Sequence, residues 1–229
     1  MKRARYYVLV AALAGAPPGF TAGPSPNSPS EPVAVGAGSA TAVNEGELRF
    51  LETPPKKAVH HHYNAVTITD RSLDDGWTGL RQCHENLDQV SAVEIVFNPD
   101  RIRNLRLESY QGIGRAWVEG ASVQLRNVGP GAKVCLQAEG RALRDNGDGT
   151  FSLASGPFMR KFLDGYYPMR VSMTVKVLTT QIRFLQINPP SQKGFRVIEK
   201  PGEVSFDAWF EGRLSTEIRF VTQDGLPRW

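Results

Sequence analysis

The stretch RVSMTVKV, residues 170–177, decides the fold. Val171, Met173, Val175 and Val177 take every second place, and Arg170, Ser172, Thr174 and Lys176 fill the places between. A period of two puts the apolar set on one face of a strand and the polar set on the other, as in a half-buried antiparallel strand. Toward the C-terminus, Val204, Phe206, Ala208 and Phe210 alternate with Ser205, Asp207 and Trp209, and Leu214, Thr216, Ile218 and Phe220 alternate with Arg213, Ser215, Glu217 and Arg219. Toward the N-terminus, Val93, Ile95 and Phe97 repeat the pattern, as do Val134, Leu136 and Ala138. Turn signals separate the runs at Asn98-Pro99-Asp100, Gly129-Pro130-Gly131, Asp145-Asn146-Gly147-Asp148-Gly149 and Pro201-Gly202. The pattern predicts an all-β antiparallel β-sandwich with at most one short helix.

One stretch reads two ways. Leu73, Trp77, Leu80, His84 and Leu87 fall at helical spacing, although Gly76 and Gly79 each weaken a helix by about 1 kcal/mol relative to Ala. The same residues also read as a strand from Trp77 to His84. An internal echo is present too. Ile102-Arg103-Asn104-Leu105-Arg106-Leu107 resembles Ile182-Arg183-Phe184-Leu185-Gln186-Ile187, and Glu139-Gly140-Arg141 resembles Glu211-Gly212-Arg213. A duplicated β unit would divide the domain at 47–229 into related subdomains near 58–155 and 156–225.

At the N-terminus, Lys2, Arg3 and Arg5 precede an apolar run from Tyr6 to Ala16, which Pro17, Pro18 and Gly19 break. Residues 1–22 read as a secretory signal peptide, or as an uncleaved anchor because the small residues around Ala14, Ala16 and Ala22 make poor cleavage pairs. Residues 23–46 are rich in Pro, Gly, Ser and Ala and read as a disordered linker. The expected location is outside the cytoplasm, periplasmic or extracellular, with the N-terminal segment as the membrane contact. Charge agrees. The formal net charge is +4, and the three basic residues of the signal account for most of it, leaving about +1 (4 − 3). A polyanion-binding protein would carry a clustered basic stripe, so nucleic acid is not an expected partner.

Cys83 and Cys135 are the two cysteines of the chain. In an oxidising compartment such a pair reads as a disulfide, closing a loop of about 50 residues worth roughly 4 kcal/mol. His60-His61-His62 is the sharpest chemical motif. On a strand His60 and His62 share a face about 7 Å apart, and two imidazoles so placed suit copper or zinc. His84 reads as a core histidine. Asp145–Gly149 lacks the spacing of a calcium loop and reads as a hairpin turn. The segment 158–169 is aromatic and basic together, and Phe158, Arg160, Phe162, Tyr166 and Tyr167 are the expected partner-binding residues. No G-x-S-x-G elbow or phosphate-binding glycine loop occurs. The leading expectation is an exported, non-catalytic binding or accessory protein of the cell envelope, with an envelope protein or a glycan as partner. A periplasmic copper or zinc carrier using His60 and His62 comes second, and a carbohydrate-active hydrolase third.

Overall fold

The computed structural model describes residues 7–9, as backbone, and 44–223. Three strands and a helix open the chain: β1 (Tyr7–Leu9), β2 (Arg49–Leu51), β3 (His61–Ile68) and α1 (Asp70–Asp75). β4 (Trp77–Glu85), β5 (Val90–Val96), β6 (Ile102–Glu119) and β7 (Ser122–Arg141) follow. β8 (Leu143–Asp145), β9 (Thr150–Phe158), β10 (Arg160–Phe162), β11 (Gly165–Tyr167) and β12 (Met169–Val177) come next. The chain ends with β13 (Ile182–Asn188), β14 (Phe195–Lys200), β15 (Glu203–Glu211) and β16 (Leu214–Thr222). The expected all-β sandwich is what forms. A ten-stranded sheet runs β1-β5-β7-β4-β3-β12-β15-β14, with β2 beside β15 and β6 beside β7. A four-stranded sheet runs β13-β16-β9-β8, and β10-β11 is a separate hairpin.

Pairing is antiparallel except for β3–β12 and β1–β5. β3 and β12 lie about a hundred residues apart in the chain, so no tight hairpin fixes their direction. Residues 71–90 resolve into both of their readings. Thr69 N–H donates to Ser72 Oγ at 3.0 Å to cap α1, and Gly76 ends it at φ 76°. A Cβ on Gly76 would lie 2.6 Å from the Leu143 carbonyl oxygen, so the strand can begin at Trp77 only after a glycine.

The Gly129-Pro130-Gly131 signal marks a bend and not a strand end. β7 pairs with β5 up to Val128 and with β4 from Lys133 onward, and Gly131 at φ 66° bridges the two ladders. Pro130 gives up no ladder hydrogen bond at this break.

Two cores result. Phe195, Phe206, Phe210, Leu153, Ile218 and Phe220 fill the space between β3, β12, β14 and β15 of the large sheet and the small sheet. Ile95, Leu125, Val128, Val134 and Leu136 form a second core. Its strand residues all belong to the large sheet, which must therefore coil on itself around them. Leu80 packs against both cores. The expected subdomain boundary near 155–156 falls inside β9, and the ladders β3–β12 and β9–β16 join residues on either side of it.

Most of the expected signal and linker lies outside the described residues. Tyr7–Leu9 pairs in parallel with Glu94–Val96. Near the end of the expected linker, Asn44 is bonded to the folded part. Its carbonyl accepts the Tyr166 N–H at 3.1 Å, and its side-chain oxygen accepts the Gly46 N–H at 2.7 Å.

Candidate functional site

The aromatic–basic segment divides in two. Phe158 and Tyr166 are buried, which corrects their assignment to a partner surface. Phe158 is the last residue of β9 and points into the first core, edge-on to His62 with ring centroids 5.0 Å apart. Tyr166 lies beneath the cations of Lys161 and Arg213, 5.5 and 5.6 Å from its ring centroid. The other three named residues remain on the hairpin. The Phe162 and Tyr167 rings meet edge to face at 5.3 Å, and the Arg160 guanidinium stands over both, at 4.9 and 5.6 Å. Asp88 holds Arg160 at 2.7 Å, and Tyr167 donates to Asp164 at 2.6 Å. Leu163 at the tip is fully exposed, at 109%.

The expected sharing of a face by His60 and His62 is found, and β4 adds His84 to it. All three histidines are buried. His84 Nδ1 lies 3.0 Å from His60 Nε2, and Gln82 Nε2 lies 2.7 Å from His84 Nε2. If the Gln82 amide donates to His84, then His84 Nδ1–H donates to His60, and the chain of bonds is satisfied by neutral rings. His62 Nε2 pairs with Asn64 Oδ1 at 3.0 Å. Burial disfavours the imidazolium, pushing His60 down to about 4 and His62 down to about 3, with His84 also well below the usual histidine range. For the copper or zinc reading, the structure offers imidazoles bonded to one another and to amides. Among the described residues no group of three or more His, Cys, Asp or Glu side chains is arranged to hold a metal ion. Cys83 and Cys135 face each other across the β4–β7 ladder and form the expected disulfide.

The opposite face of the large sheet is a lattice of cross-strand polar pairs. Asp207, Ser172 and Tyr63 stand in register with Cys83, Cys135 and Ser109, and Trp209, Arg170 and His61 with Glu85, Lys133 and Gln111. A trough of about 870 Å³ crosses this face over Ala65, Thr67, Gly79 and Thr174, whose small side chains leave it empty. Of its charged lining, Arg81 is paired with Glu108 and Glu139 with Arg103, and Arg106 is bonded to Gln137.

Sequence reasoning missed one constellation here. Ser172 Oγ lies 2.7 Å from His61 Nε2, and His61 Nδ1 lies 3.2 Å from Glu85 Oε2, the connectivity of nucleophile, base and orienting acid. No short sequence motif carries it, because β3, β4 and β12 each supply one member and only the sheet register brings them together. Ser172 also donates to Asp207 Oδ1 at 3.0 Å, which diverts its proton from His61. β12 is flanked by strands on both sides, so the ladders take the backbone N–H groups around Ser172 that could otherwise stabilise an oxyanion.

No protein-family model matches the chain, and no curated protein matches it significantly.

Proposed function

We propose that this chain is an exported, non-catalytic binding or accessory protein of the cell envelope, and that the hairpin β10–β11 is its recognition element. Leu163 carries the reading. It is held fully in solvent at the tip of a hairpin that pairs with neither sheet, backed by the stacked Arg160, Phe162 and Tyr167. Preformed aromatic–arginine stacks are what interface anchors use, because little side-chain entropy is left to lose on binding. The placement of Asn44 against Tyr166 means that the N-terminal segment joins the folded part beside this hairpin. Export rests on the basic-apolar N-terminus, and the disulfide is consistent with an oxidising compartment.

The test has two arms. Fractionation of cells expressing the full chain should place it outside the cytoplasm, and retention in the cytoplasm would overturn export. Purified protein should bind either the protein fraction or the purified polysaccharide of the envelope, and Leu163→Asp and Tyr167→Ala should each weaken that binding at least roughly tenfold, with unchanged unfolding temperature. Equal binding by the variants removes the hairpin from recognition, and no binding by the wild type removes the function.

A second reading, a serine hydrolase, has the Ser172–His61–Glu85 connectivity behind it. It ranks below the first because Asp207 competes for the serine proton and the ladders on both sides of β12 engage the backbone N–H groups around Ser172. A fluorophosphonate probe that labels Ser172 in the wild type, and not in His61→Ala, would promote it. Absence of labelling ends it.

A further inference from the structure

We propose that the slot between the two sheets, at Asn64 and Gln82, binds a small carboxylate that also carries an amide group on a short apolar body. This inference does not rest on the hairpin and uses none of its residues.

The slot has a volume of about 100 Å³ and is walled by Leu80, Phe97, Leu153, Phe158 and Met173. Asn64 and Gln82 stand directly opposite each other on β3 and β4 and line it. Both are more than nine-tenths buried, at 6% and 1% exposure. Each amide is only half used. Asn64 Oδ1 is taken by His62, and Gln82 Nε2 by His84. Among the described residues, Asn64 Nδ2 and Gln82 Oε1 have no partner. Neither atom is sealed off, since the buried unpartnered side-chain atoms among the described residues are Thr216 Oγ1 and Arg219 Nε. A free donor and a free acceptor on facing residues of a mostly apolar slot point to a ligand that matches both. The group that satisfies both is another amide, whose carbonyl accepts from Asn64 and whose N–H donates to Gln82.

The neutral histidines behind these amides hold them in place, since every imidazole bond in the seam is to a ring or an amide of the same seam. The remainder of the wall is mostly apolar, its other hydroxyls being Ser155 and Thr78, which is bonded to the Gly140 carbonyl, and suits a short hydrocarbon body.

The rim of the slot supplies the charge. Its exposed lining residues are Asn98 and Arg141, with Arg101 half-exposed beside them. Neither the Arg101 nor the Arg141 side chain has an ion-pair or hydrogen-bond partner among the described residues, whereas Arg81, Arg103 and Arg170 on the outer face are each paired with a carboxylate. The neighbouring groove, which shares Arg101 and Arg141, also carries Arg144 and the four carboxylates of Asp74, Asp75, Asp100 and Asp145. Asp75 is bonded to Arg71, and none of the four is ion-paired with Arg101 or Arg141 among the described residues. Two uncommitted guanidiniums at the mouth of an apolar, amide-based slot select a carboxylate over a neutral head group, because the planar fork of arginine matches the two carboxylate oxygens.

The probe is N-acetylglycine, with N-acetylglycinamide as the analogue lacking the carboxylate and 4-methylvalerate as the analogue lacking the amide. Titration of isotope-labelled full chain, followed by nuclear magnetic resonance, should give saturable shifts of the Asn64 and Gln82 side-chain amides with N-acetylglycine in the millimolar range expected of so small a ligand. Each analogue should bind at least roughly tenfold more weakly, and so should the Arg101→Ala, Arg141→Ala double variant. Both arginines are at the rim, so the variant keeps the core intact, and an unchanged unfolding temperature verifies it. If the two amides do not respond to N-acetylglycine, the slot holds water only and the proposal fails. It fails equally if the double variant binds with wild-type affinity. Loss of envelope binding in hairpin variants leaves this titration unaffected, so the two proposals fail separately.

Discussion

The hydroxyl of Thr216 lies in the sandwich interior with no hydrogen-bond partner, on a residue only 3% exposed. Threonine suits the strand, but its oxygen is desolvated without compensation. Thr216→Val keeps the shape and removes the orphan, and should stabilise the protein by about 1–2 kcal/mol, read as a raised urea midpoint. An unchanged or lower midpoint would show that the oxygen is satisfied in solution. The buried histidines give the opposite kind of sensitivity. Folding lowers His60 to about 4 and His62 to about 3 from the ordinary value of 6.5, so the fold favours the neutral rings. Their contribution is complete above pH 6.5 and is lost as pH falls toward 4 and 3, at about 1.4 kcal/mol per pH unit per histidine. By pH 5 that amounts to about 2 kcal/mol for each, and carboxylates are still ionised there. Thermal unfolding should shift downward from pH 7 to pH 5, and the fall should be shallower in His62→Asn. A flat profile over that range would contradict the burial of the rings.

At the scale of the element, β6 shows how a long sheet edge is kept from pairing with other chains. Its 18 residues pair with β7 on one side only, and register shifts break the ladder at Arg103/Arg106, Leu107/Ser109 and Gln111/Ile113. Bulges and edge charges such as Arg103, Arg106 and Arg115 blunt an exposed edge. The internal echo is half reproduced by the elements. Glu139-Gly140-Arg141 and Glu211-Gly212-Arg213 each close a strand of the large sheet and lead into a strand of the small one, β8 and β16. At the second corner a Cβ on Gly212 would come within 1.9 Å of the Glu47 carbonyl oxygen, so the crossing needs glycine there. The other half of the echo diverges, since Ile102–Leu107 lies in the large sheet and Ile182–Ile187 in the small one. The disulfide ties β4 to β7 across a sequence separation of 52. Reduction, or the double variant Cys83→Ala, Cys135→Ala, should cost about 4 kcal/mol, measured as a lower urea midpoint. Equal midpoints with and without reductant would mean that the crosslink does not constrain the unfolded chain.

The whole molecule has two cores but one connected set of ladders. β7 supplies the second core and, through β4 and β3, continues to β12 and β15 of the first, while Leu80 touches both. Ile95→Ala in the second core and Phe206→Ala in the first should therefore each lower a single common unfolding transition, by about 2–5 kcal/mol. Two separate transitions would show that the halves fold independently. The period-two runs by themselves determined the strands, their inward faces and the all-β class, because alternation is a local property of the backbone. The cysteine pair was legible for the same reason that few partners exist: two cysteines allow one bridge. Tertiary structure alone decided which aromatics stay outside. Phe158 and Tyr166 carry the same composition signal as Phe162 and Tyr167, but Phe158 ends β9 in the first core and Tyr166 takes the buried place on β11, while Phe162 and Tyr167 stay on the outside of the hairpin. It also decided the company of each polar residue. Asn64, Gln82 and the three inward histidines, like Ser172, His61 and Glu85 on the opposite face, come from different strands. Their meeting depends on register between segments distant in the chain, which no local pattern encodes.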